Sequence, residues 1–367
     1  MQIRKSYAYS LAAVIALGLA GVPSHAEPYL AVESGLKCAA CHTNPSGGGK
    51  RNVFGMTYAR AALAERILLQ EEASAGWASE INNWLGIGGD YRGGYSEVDL
   101  PGSQDVSEWS TTKGTAYLEI RPVPGLLTLY VDEQLAPGES LNREAYLLLT
   151  PQDGKFTVKA GQFFLPFGLR LQDDATFVRQ SSGINFDTPD EGIELGIELP
   201  RWSAQVAVSD GTAGTGSAPD KKQTSLSAAY VQPRWRIGTS INVNEDPLGD
   251  REMFALFAGL KTGPISWLAE IDLISDDIPQ GGTRDIYATL IEGNWRFRKG
   301  HNLKASYEFL DPSDLASEDE QERYRIVWEY SPFQLFQTRV GFTSYNGVPG
   351  IPTTNRSEVF VEAHIYF

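Results

Sequence analysis

The sequence predicts an all-β transmembrane barrel of about 16 antiparallel strands behind a small α-helical N-terminal module. Three observations carry this reading. From Asn83 onward, runs of residues alternate apolar with polar or small side chains, as in 202–208, 237–243, 265–273, 324–330 and 336–342. Such runs fit strands with one face on lipid and the other on water. Short turns (Val123-Pro124-Gly125, Gln232-Pro233-Arg234, Thr262-Gly263-Pro264, Lys299-Gly300) alternate with long loops such as 211–223 and 311–322, and a soluble sandwich gives no such alternation. The chain ends on an alternating strand, with Val359, Val361, Ala363, Ile365 and Phe367 on one face and Phe360, Glu362, His364 and Tyr366 on the other.

Within this reading the strands lie near 84–96, 114–122, 126–135, 143–150, 155–165, 192–199, 202–209, 224–231, 235–243, 252–260, 265–274, 285–297, 302–310, 323–330, 334–345 and 357–367. Short periplasmic turns and long outer loops are the rule for bacterial barrels. An even strand number then puts both barrel ends in the periplasm. The segment 168–191, with Asp173, Asp174, Asp187 and Asp190, is long enough to fold into the lumen.

Composition narrows the function. Lys plus Arg total 31 against 46 Asp plus Glu, a net charge of −15 that argues against nucleic acid as partner. Residues 1–26 read as a cleaved export leader: Arg4 and Lys5, the apolar run Leu11–Val22, then Ser24-His25-Ala26 before Glu27. That run is shorter than the roughly 20 residues a membrane-spanning helix needs. Cleavage leaves 29 basic residues against 46 acidic, a net −17. Most of this excess falls in the predicted outer loops, and an acidic mouth attracts cations.

Both cysteines of the chain lie in Cys38-Ala39-Ala40-Cys41-His42, within a module spanning 27–80; the barrel takes 81–367. C-x-x-C-H is the attachment signature of c-type haem: two thiols bond the macrocycle and the adjacent His ligates the iron. A dithiol pair would want a βαβ context, and zinc would need two more ligands. The expected cofactor is one covalent haem c on Cys38, Cys41 and His42. Gly47 to Gly49 allow close backbone approach to a flat ring, Lys50 and Arg51 are candidate partners for its propionates, and 57–75 reads as a helix. Candidates for the sixth iron ligand are Met56 and His364, with His301 a third. Sulfur ligation would raise the potential.

Pro28-Tyr29, Glu33-Ser34-Gly35, the C-x-x-C-H and Phe54-Gly55 resemble the head of the fused monohaem cytochrome–porins, outer-membrane proteins best known as iron oxidases. Gly47 to Gly49 departs from the iron-oxidase pattern. Gly161-Gln162-Phe163-Phe164-Leu165-Pro166-Phe167-Gly168 is similar to a strand of phosphate-selective porins. The first resemblance implies a Gram-negative outer-membrane electron carrier or iron-oxidase-like oxidoreductase. It would pass electrons from a small extracellular donor such as Fe(II) to a periplasmic c-type cytochrome. The second implies the alternative, a diffusion or substrate channel with a structural or sensory haem plug. No catalytic acid–base constellation is visible in either case.

Overall fold

The computed structural model describes residues 27–67, 79–211, 222–245, 249–278 and 281–367. The leader and the end of the expected 57–75 helix lie outside them. Sixteen antiparallel strands form the wall: β1 (Leu85–Asp99), β2 (Val106–Val123), β3 (Leu127–Ala136), β4 (Leu141–Leu149), β5 (Phe156–Phe163), β6 (Asp190–Glu198), β7 (Trp202–Ser209), β8 (Lys222–Val231), β9 (Trp235–Glu245), β10 (Arg251–Thr262), β11 (Ile265–Asp277), β12 (Thr283–Arg298), β13 (His301–Asp311), β14 (Gln321–Phe333), β15 (Phe336–Asn346) and β16 (Ser357–Tyr366). Each corresponds to one expected strand. A lead-in strand, Glu80–Asn82, pairs with the foot of β1.

Each strand pairs with its neighbours in sequence, and β16 pairs with β1, placing Val361 opposite Tyr95. This closes the barrel and leaves no free edge. At the seam the Gly89 and Phe367 backbones exchange hydrogen bonds of 3.0 Å. Alternation sets the faces. Val359, Val361, Ile365 and Phe367 point outward, whereas Phe360, Glu362, His364 and Tyr366 are buried inside. Leu226, Ile237, Phe254, Leu256 and Ile271 continue the apolar outer band. At its short-turn rim, ring contacts such as Trp202 tilted against Tyr230 and His301 stacked on Tyr330 (centroids 4.8 and 4.4 Å apart) form an aromatic girdle.

The interior is packed, contrary to the expectation of a solvated lumen. Glu119, Lys159, Glu270, Asp272, Lys304, Glu308, Arg325, Glu329, Arg339 and Glu362 do face inward, and all are buried. Two stretches of chain fill the space. One is the segment 164–189, which turns in after β5. Phe164, Leu165, Phe167, Leu169 and Leu171 are buried, and a short helix, Phe177–Ser182, packs against β11 and β12. Its anchors are bonds to the wall: Leu169 N–H to Glu270 (2.9 Å), Phe177 N–H to Glu308 (2.8 Å), Ser225 to the Pro166 carbonyl (2.7 Å) and Arg323 to Asp173 (2.5 Å).

The other is the N-terminal module, seated in the short-turn end. Helix α1 (Pro28–Ser34) lies on β10 and β11, with Tyr29 and Val32 buried. Helix α2 (Val53–Tyr58), capped by Asn52, continues as a π-turn that ends at Leu63. The expected helix over 57–75 is therefore corrected within the described residues: it begins earlier and stops sooner. Ala64 is extended, and the Glu65 and Arg66 N–H groups bond the Ser331 and Pro332 carbonyls at the end of β14 instead of continuing the helix. Among the described residues no helix is long and apolar enough to cross a membrane.

Ion pairs in such an interior are expected to resist loss of one partner. Arg323 bonds Glu308 at 2.6 Å with both side chains buried. Arg323→Ala strands a buried carboxylate and should cost about 3–5 kcal/mol in urea unfolding of the detergent-solubilised barrel. Lys222→Ala, which breaks an exposed pair with Asp210, should leave the midpoint unchanged.

Candidate functional site

The Cys38–His42 motif folds as a single 3-10 turn. The Cys41 and His42 N–H groups both donate to the Cys38 carbonyl at 3.1 Å, so the two thiols and the imidazole leave one turn together. Asn52 Nδ2 donates to the Ala40 carbonyl at 3.1 Å and braces that turn against the start of α2. His42 then pairs with Arg51, and Thr43 N–H bonds the Lys50 carbonyl, which closes a loop carrying Gly47 to Gly49.

That loop is held by the barrel. Gly49 has φ +61°, and a Cβ there would fall 2.2 Å from the Tyr130 hydroxyl, which accepts the Lys50 N–H at 2.8 Å. A Cβ on Gly47 (φ +92°) would meet the Cys38 side chain at 3.1 Å. The close approaches these glycines make are to Tyr130 and Cys38, where the sequence suggests approach to a flat ring. Asn44 bonds Glu144 at 3.0 Å and accepts from Lys159 at 3.1 Å. Lys37 meets Glu198, and Glu33 meets Arg296 at 2.6 Å.

Between module and wall lies a cavity of about 1520 Å³, counted with the solvent at its mouth. Cys38, Cys41 and His42 line it together with Leu30, Tyr58, Leu63, Val231 and Phe257. The two cysteines form no disulfide, and burial pushes their pKa values up. His42 borders the cavity yet lies deep in the barrel mouth. Burial pulls its pKa down to about 3, and the Arg51 and Arg170 guanidiniums add to the effect. A neutral imidazole is the form that ligates a metal. Two thiols and a neutral imidazole on one turn, facing a chamber of mixed apolar and basic lining, fit a covalently held flat macrocycle with acidic substituents.

The remaining expectations separate. His364 lines the same cavity, its Nε2 2.9 Å from Asp90 and 3.1 Å from Arg92, with Nδ1 3.3 Å from Gln337. Met56 is buried in α2 and is not part of the cavity wall. His301 stacks among Phe297, Trp328 and Tyr330 in the outer girdle, and so is displaced from the site. Lys50 is corrected as well: it is fully buried, its Nζ 2.8 Å from Glu80 and 3.0 Å from Glu119, and it points away from the cavity as a structural cation. Arg51 does line the cavity, over the Tyr366 ring. Sequence reasoning missed Arg170 and Arg236, which join the wall from the inward segment and from β9. Alternation puts Arg236 on an inward face, but nothing local marks either as a site residue, because what brings them to the motif is contact with Gly47 and Leu36, 123 and 200 residues away.

Solved structures with this architecture include an anion-selective porin from Comamonas acidovorans, with a TM-score of 0.63, 10% identity, and 77% of this chain and 99% of that chain covered. OprB of Pseudomonas putida gives 0.60, 8%, 84% and 99%. The outer-membrane channel DcaP of Acinetobacter baumannii gives 0.56, 14%, 77% and 97%. At these identities the likeness is one of fold: a closed antiparallel barrel of 16 strands resembling outer-membrane porins. No protein-family model and no curated protein matches the chain.

The seating of the module gives a direct expectation. Gly49→Ala forces a side chain into the Tyr130 hydroxyl at a left-handed φ, and should weaken docking by about 1 kcal/mol or more. Limited proteolysis of the folded barrel should then cut within 27–67 faster than in the unaltered protein, while strand content by circular dichroism stays the same.

Proposed function

We propose that this chain is a Gram-negative outer-membrane protein that carries one c-type haem on Cys38, Cys41 and His42 and transfers electrons. A small extracellular reductant such as Fe(II) gives up one electron, and a periplasmic c-type cytochrome takes up that electron. The haem supplies the one-electron chemistry when bound. The chain's own contribution is to hold both thiols on one turn, keep the imidazole neutral, and exclude bulk water by seating the module in the barrel. His364, which borders the cavity, is the better-placed candidate for the sixth ligand, ahead of Met56.

The observation that carries this reading is the packed interior combined with the cysteine-and-histidine cavity at its short-turn end. A lumen filled by 27–67 and 164–189 is poorly suited to bulk diffusion, and in this reading a small donor enters from the outer mouth toward the haem. The porin-like neighbours favour the second reading, a diffusion or substrate channel in which the haem is a structural or sensory plug.

Haem staining on a denaturing gel tests attachment: the unaltered chain should stain, and Cys38→Ala with Cys41→Ala should not. Planar-bilayer conductance separates the two readings. Electron transfer predicts haem reduction by Fe(II) with little conductance, whereas porin-sized conductance with a haem inert to every donor would establish the channel. For the sixth ligand, the haem spectrum should change in His364→Ala and stay the same in Met56→Ala. The acidic outer loop bears on the donor. Reduction by Fe(II) should slow as salt screens the loop, with a Debye length of about 10 Å at 0.1 M, and slow again in Glu318→Gln, Asp319→Asn, Glu320→Gln. A rate indifferent to both would remove the cationic donor.

A further inference from the structure

The arginines inside this barrel divide into two sets; in the second, Arg236 is buried and Arg51 and Arg170 are half-buried. Arg92, Arg143, Arg179, Arg323, Arg325 and Arg339 each lie against a carboxylate. Arg51, Arg170 and Arg236 have no carboxylate within ion-pair distance among the described residues, and these three line the cavity. They come from three separate bodies: the module, the inward segment and strand β9 of the wall. Backbone carbonyls orient two of them. Arg236 donates to the Ala31 and Leu36 carbonyls at 2.5 and 2.6 Å, and Arg170 donates to those of Gly47 and Phe164. Arg51 lies 4.2 Å over the Tyr366 ring.

The carbonyls bonded by Arg170 and Arg236 leave the charge standing, and a cation drawn out of bulk water without a counter-ion is costly. The acidic side chains at the cavity do not balance it. Lys37 holds Glu198 at 2.5 Å, and Glu27 interacts with Glu329, Lys304, Arg339 and Arg92. Three positive charges therefore face a chamber whose wall also carries Leu30, Leu63, Val231 and Phe257, which calls for an anion with an apolar body. Planar guanidinium groups suit carboxylates in particular.

We propose that Arg51, Arg170 and Arg236 form a clamp for the two carboxylates of a flat apolar ligand. Taken with the function proposed above, on which this identification rests, those carboxylates are the haem propionates. The barrel and its inward segment would then bind the group as directly as the module does. Two measurements test the clamp.

The first uses the haem-loaded full chain. Arg51→Gln, Arg170→Gln and Arg236→Gln should each lower the midpoint potential at fixed pH, because a nearby positive charge favours the added electron. The Lys variants, which keep the charge, should restore it. Arg356→Gln, which removes a cation stacked on Tyr345 in an outer loop, should leave it unmoved. Shifts no larger than this control would overturn the clamp. Failure of both Gln and Lys forms to assemble would overturn it at that position, by showing the arginine to be a structural carbonyl donor. The second measurement does not depend on covalent attachment. The chain with Cys38→Ala and Cys41→Ala is titrated with iron protoporphyrin IX and with its dimethyl ester, which lacks free carboxylates. The ester should bind about tenfold or more weakly, and the three Gln changes should abolish that preference. Equal binding of acid and ester refutes the clamp even if the unaltered chain carries haem. A carboxylate preference in a chain that never attaches haem refutes covalent attachment and leaves the clamp standing.

Discussion

A cylinder of 16 strands encloses more space than the side chains of its own wall can fill, and in this protein two other stretches of the same chain fill it. Everything else in the structure follows from that filling. Once water is displaced, each inward charge needs a partner. Arg323 lies between Glu308 and Asp173, Lys159 between Glu194 and Asn44, and Lys50 between Glu80 and Glu119. In every one of these sets at least one member comes from an inserted segment, so the charges that would line a solvated pore instead fix the position of the plug.

The cavity is the space left where module and wall do not meet. Cys38, Cys41 and His42 face it because one tight turn projects all three from the module toward the barrel. The wall opposite supplies Arg236 and His364, and the inward segment supplies Arg170. A site assembled from three bodies exists only when all are in place, which couples the seating of the module to the chemistry of its motif. The Arg170 bond to the Gly47 carbonyl joins the two inserted segments directly. The same residue borders the motif and is carried by a segment that Glu270 and Ser225 tie to the wall.

Several elements were legible in advance for local reasons. Strand alternation has a period of two, so Val359, Val361, Ile365 and Phe367 could be set on one face before the barrel was known. Turns such as Thr262-Gly263-Pro264 mark their own positions. Other features read differently because distant chain intervened. The helix that starts at Val53 has the composition to run beyond Leu63, but the Ser331 and Pro332 carbonyls capture its next backbone N–H groups. Lys50 looked like a partner for an anionic ligand, yet Glu80 and Glu119 reach it first.

The amino-acid sequence by itself determined the strand count, the inward and outward faces, the alternation of turn and loop lengths, and the joint departure of two thiols and an imidazole from one turn. Each of these is set by residues within a few positions of one another. Only the tertiary structure decided that the module sits inside the barrel, that 164–189 packs into the lumen, and that Arg170, Arg236 and His364 share a cavity with His42. Those placements rest on pairings such as Tyr29 with Glu329, 300 residues apart, and Arg236 with Ala31, 205 apart. Barrel closure and strand register bring such residues together, and no local pattern encodes which inward charge will find which partner once water has been excluded.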